Sequence, residues 1–139
     1  MNSTQRIVFL WLLLAVCVSL HTMLETAEYV FFTAEQGPVA EGISSAVHAI
    51  YIVAFILPLL MAFLFSFVNS PLLRWCGLAL AALLVITNGM HLVEMVMDNL
   101  SNVTQLALLS LILAINVMLV LVLYRQNGEA KAGEVIKAN

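Results

Sequence analysis

Four long apolar runs separated by short polar breaks leave this chain few ways to fold. Peptide N–H and C=O groups cannot stay unpaired in hydrocarbon, so an apolar run of about 20 residues crosses a bilayer core as an α-helix. The runs predict helices over about 7–28, 43–67, 72–97 and 103–124. The expected fold is therefore all-α, an integral membrane four-helix bundle running up-down-up-down. Composition agrees, since 63% of the 139 residues are hydrophobic, 9% are charged and mean hydropathy is +1.07. Soluble domains are roughly 45–50% apolar and about 25% charged. Residues 1–126 are assigned to the bundle, and the polar, mixed-charge residues 127–139 are expected to form a disordered cytoplasmic tail. Five dispersed basic residues and a net charge of −3 provide no electrostatic footprint for nucleic acid. The partners expected are the lipid bilayer and other membrane subunits.

Polar residues punctuate the runs. Glu35-Gln36-Gly37-Pro38, Asn69-Ser70-Pro71 and the stretch from Asn99 to Asn102 read as turns. Pro58 lies inside the second run, where its missing donor predicts a kink. The first run could also be read as the core of a signal peptide, but Cys17-Val18-Ser19 makes a poor cleavage pattern, so it is kept as a span. Cys17 and Cys76 have no CxxC spacing and are expected to be unpaired packing residues. Arg6, Arg74, Arg125, Lys131 and Lys137 all fall at the two ends of the chain or in the second turn, which share one side of a four-span protein. The positive-inside rule makes that side cytoplasmic, giving an N-in/C-in protein of the plasma membrane, a bacterial inner membrane being the expected setting.

The opposite, outward end carries the chemistry. His21, Glu25 and Glu28 follow i, i+4, i+7 spacing on one face of the first helix. Asn88, His91, Glu94 and Asp98 share a side of the third, and His48 enters near the start of the second. At 1.5 Å per residue, His21 and His91 lie roughly 22 and 25 Å beyond Arg6 and Arg74, hence at one level. Glu25, Glu28, Glu94 and Asp98 crowd the negative ends of two helix dipoles, an unfavourable placement that a nearby positive charge relieves. Imidazole nitrogen and carboxylate oxygen together suit a divalent metal, zinc or iron. The expected ligands are His21, His48 and His91 with Glu25 or Glu94, supported by the polar groups of Asn88, Glu28 and Asp98. The arrangement resembles in part the carboxylate and histidine sites of four-helix di-iron proteins. It departs from them in the order His91 then Glu94, and in the i, i+4 spacing of His21 and Glu25.

Other readings compete. A compact chain with small turns also suits a non-catalytic accessory or interaction subunit of a larger membrane complex. Two histidines at one level suit a b-type haem, and the glutamates suit a proton or cation relay, although no acid continues the path into the other half of the membrane. A metal-bound water activated by a glutamate is the natural chemistry of a catalytic site here, but no substrate is indicated. Asn116, deep in the fourth run, reads as an interhelical packing residue.

Overall fold

The computed structural model describes residues 2–28, 52–98, 100 and 102–138, without the side chains of Glu28, Asp98 and 131–138. Among the described residues the fold is all-helical. Helix α1 spans Ser3–Glu28, a π-wound segment Ile52–Ile56 leads into α2, Leu57–Phe67, and α3 and α4 span Pro71–Asp98 and Val103–Ala138.

Side-chain caps, rather than hydropathy, set where the helices start. Asn2 Oδ1 accepts the Gln5 amide at 2.8 Å, and the Asn2 amide donates to Gln5 Oε1 at 3.0 Å. This reciprocal capping box starts α1 ahead of the residue near 7 where the apolar run begins. Ser70 Oγ accepts the Leu73 amide at 3.1 Å, with Pro71 at the first helical position, where a proline loses nothing. Asn102 Oδ1 accepts the Gln105 amide at 3.2 Å. At its other end α4 continues to Ala138, beyond the boundary near 124 that hydropathy suggested. Hydropathy marks where apolar residues stop, whereas Gln, Glu, Ala and Lys carry a helix onward through good intrinsic propensity.

The second run is only partly described, since residues 43–51 of the expected 43–67 helix lie outside the described residues. The turn Glu35-Gln36-Gly37-Pro38 lies outside them as well. Pro58 has a local consequence in what remains. Its ring collides with the carbonyl four residues earlier, at Ala54, and the wider π-winding over Ile52–Ile56 opens that turn. Among the described residues, three helices are long and apolar enough to cross a membrane: Ser3–Ala27, Pro71–Met97 and Val103–Ala130. With 25, 27 and 28 residues they reach roughly 37 to 42 Å at 1.5 Å per residue, against a hydrocarbon core of about 30 Å.

Helix α4 packs against both α1 and α3, and α1 packs against both α2 and α4. The buried stripe of α1 is Ile7, Leu10, Trp11, Leu14 and Cys17, and that of α4 is Leu109, Ile112, Ile115, Leu119 and Leu123. Both repeat every three to four residues, the spacing that keeps one helix face on its neighbour. Phe9, Leu12 and Val16 on the other side of α1 are exposed. Cys17 is buried and Cys76 exposed, and both are free thiols, as expected.

Helices α2 and α3 meet at Gly77. A Cβ there lies 3.0 Å from Phe65 Cε2 and 3.1 Å from Met61 Cε, so the missing side chain is what lets the two helices approach. Gly77→Leu is expected to cost about 1–3 kcal/mol through overpacking. Equilibrium unfolding in mixed detergent micelles measures the loss, and Gly128→Ala, where an added Cβ meets nothing within 4 Å, is the neutral control.

Candidate metal centre

Three helices bring polar side chains to one end of the packed core. His21 continues the buried stripe of α1 one turn beyond Cys17 and is itself only 6% exposed, with Glu25 one turn further. His91 lies seven residues after buried Leu84, on the same face of α3. From the first turn of α4 comes Gln105, fully buried.

His21 Nδ1 is hydrogen-bonded to Gln105 Oε1. A carbonyl oxygen can only accept, so Nδ1 carries the ring proton, and in the neutral imidazole Nε2 keeps its lone pair. That lone pair faces His91 Nε2 at 3.2 Å, and Glu25 Oε1 lies 3.4 Å from each of the two nitrogens. The two rings meet edge to face, with centroids 5.4 Å apart. On the far side of the His91 ring, Nδ1 lies 3.8 Å from Glu94 Oε2, too far for a direct hydrogen bond. Both Nε2 atoms and a carboxylate oxygen thus converge as a nearly equilateral triangle of possible ligand atoms. Such a triangle repels itself unless it shares a proton or holds a cation.

The residues anticipated from sequence divide three ways. His21, Glu25 and His91 are brought together within ligand distance of one another. Glu94 stands apart from the triangle, facing the opposite ring nitrogen of His91, and is more than two-thirds exposed. Asn88 is half-buried one turn before His91. His48 lies outside the described residues, as do the side chains of Glu28 and Asp98. The histidine layer is therefore described for two of its three expected members.

Gln105 was not anticipated. Its signal was a carboxamide at the head of the 105, 109, 112, 116, 119, 123 stripe, a polar residue in line with core positions. By contrast, Ser19, Thr26, Thr87 and Ser110 return their hydroxyls to carbonyls of their own helix, so the polarity of these residues is satisfied locally.

Among the described residues, fold and site together define an all-helical structure with three helices apolar enough to span a membrane and a His/Glu/His group at one end of their packed core. Comparison with family models, with curated proteins and with solved structures finds no match for this chain.

Histidine side-chain NMR of nitrogen-labelled protein should find His21 in the Nδ1-protonated form in the metal-free state. A proton on Nε2 would contradict the assignment. Gln105→Leu strands the Nδ1 proton in a buried position and should cost about 1–3 kcal/mol of stability, read from unfolding in detergent.

Proposed function

We propose that the chain is an integral membrane four-helix bundle, up-down-up-down with both termini cytoplasmic, that binds one divalent metal ion, zinc or iron, through His21, Glu25 and His91. The observation that carries this reading is the size of the triangle. Its edges are 3.2, 3.4 and 3.4 Å. Ligand atoms about 2.0–2.1 Å from a tetrahedral zinc stand roughly 3.3 Å from one another. An ion seated slightly above the plane therefore reaches all three at ordinary bond lengths.

The surroundings support the same reading. A metal-bound histidine ordinarily donates its other ring N–H to a carbonyl or carboxylate, which fixes ring and tautomer. Gln105 fills that role for His21, and Glu94 is suited to it for His91. Glu25 and His91 are each 41% exposed, so one side of the triangle stays open to a further ligand, either His48 or water. Two histidines and one carboxylate with an open position are the donor set of hydrolytic zinc centres and of non-haem iron oxygenases. An ion here also offsets the charge of acids placed at the negative ends of α1 and α3.

A b-type haem fits this geometry less well, because a macrocycle must lie between its two axial nitrogens. Here those nitrogens are 3.2 Å apart, with a carboxylate oxygen 3.4 Å from both. A proton shared between the two imidazoles is the second reading, favoured by the hydrogen-bonding distance between the Nε2 atoms. It needs no ion.

Metal analysis of protein purified in mild detergent decides between them. About one zinc or iron per chain is expected in the wild type and almost none in the His21→Ala, His91→Ala double variant. Glu25→Gln should weaken zinc binding by more than tenfold. Glu94→Gln, acting through the His91 ring, should fall within or below the 10–100-fold range of outer partners. Retention of metal by the double variant, or its absence from wild type after zinc and iron loading, overturns the metal reading and leaves the proton-sharing pair.

A further inference from the structure

At the end of the packed core opposite His21 and His91, α3 and α4 enclose a second polar feature. A pocket of about 210 Å³ is lined by Trp75 of α3 and by Tyr124, Arg125, Asn127 and Gly128 of α4. This is below the roughly 300 Å³ at which sites for drug-sized ligands begin, so the pocket takes a small group rather than a cofactor.

Asn127 gives the pocket its chemistry. It is 95% buried, and its Oδ1 accepts from Arg74 Nε at 3.2 Å, while Arg74 Nη1 donates to Asn69 Oδ1 at 2.9 Å. A guanidinium can only donate, so the amide oxygen must face Arg74 and the amide NH₂ must face away from it. That NH₂ is buried without a hydrogen-bond partner among the described residues. A buried donor left unpaired costs about 1–3 kcal/mol, which calls for a missing acceptor. Arg125 lines the same pocket, so the acceptor favoured there is anionic. Trp75, about half exposed, and Tyr124, two-thirds exposed, line the pocket with the amphipathic rings that settle at the headgroup level of a bilayer.

We propose that this pocket binds the phosphodiester of an anionic lipid headgroup. Asn127 Nδ2 and Arg125 donate to the phosphate oxygens, Arg74 fixes the Asn127 amide, and Trp75 and Tyr124 pack against the glycerol and upper acyl carbons. Basic pockets between helices on the cytoplasmic side of a membrane are the general setting for such recognition. The proposal rests on the membrane placement given above and is independent of the metal.

The test uses the full chain, extracted in detergent and exchanged with phosphatidylglycerol, phosphatidylcholine or inorganic phosphate, with bound lipid counted by native mass spectrometry. Phosphatidylglycerol should be retained at about one per chain and at least fivefold more than phosphatidylcholine. Asn127→Asp keeps an acceptor for Arg74 but replaces the donor with a negative charge, and should lower retention at least tenfold. Arg125→Gln and Gly128→Trp, the latter filling the pocket from a position where an added Cβ meets nothing within 4 Å, should each lower it at least fivefold. Equal retention by all three variants, or equal retention of phosphatidylcholine, overturns the proposal. Displacement of the lipid by millimolar inorganic phosphate overturns the lipid assignment in favour of a free-phosphate site. Resistance of the wild type to alkaline extraction from membranes, measured in parallel, tests the membrane placement by itself. Zinc content of the Asn127→Asp variant should match wild type, which separates failure here from failure of the metal reading.

Discussion

The buried hydrogen bond between His21 and Gln105 sets the conditions for everything at its end of the molecule. A neutral imidazole has one donor and one acceptor, and burial removes water as a partner for either. Once Gln105 accepts from Nδ1, the remaining lone pair has to be used within the protein. The helix geometry gives it His91 and Glu25, two more electron-rich groups. The polarity of the whole cluster follows from that single choice of tautomer, and so does the case for a cation or shared proton at its centre.

Helix α4 is the element through which this chemistry is positioned. It is the neighbour of both α1 and α3, and its buried face carries carboxamides at 105, 116 and 127, eleven residues apart and nearly in line. Gln105 orients a histidine at one end, and Asn127 accepts from an arginine at the other. Asn116, between them, is fully buried with neither amide atom paired among the described residues. In lipid, apolar side chains gain little by leaving one apolar medium for another, so packing and a few interhelical polar contacts must hold helices in register. Hydrogen bonds from α4 to α1 and to α3 at opposite ends supply two such fixed points. Gly77 supplies the close packing between α2 and α3.

The two ends differ in the sign of what they attract. The His/Glu/His end gathers lone pairs and negative charge, and its surroundings favour a cation. At the Arg74 and Arg125 end, guanidinium and amide donors gather and favour an anion. This polarity along the helix axes matches the basic residues' distribution in the chain, and it is the physical basis for proposing that the arginine end faces the cytoplasm.

Much of this was legible in the chain before any tertiary contact. Run length and composition determined an all-helical fold with membrane-length helices, because hydrocarbon permits no other local pairing of the backbone. Helical periodicity placed His21 with Glu25 and His91 with Glu94, because i, i+3 and i+4 neighbours share a face whatever the helix packs against. Only the tertiary structure decided that Glu25 reaches His91 across the helices while Glu94 turns to the other ring nitrogen. Azimuthal rotation about a helix axis is set by packing, and residue spacing cannot report it. Gln105 was hidden for the same reason: an amide in an apolar helix acquires a role only when another helix presents a partner. The Asn2 and Gln5 capping box is a different case, a local pattern whose signal lay in the sequence all along and sets the start of α1 independently of hydropathy.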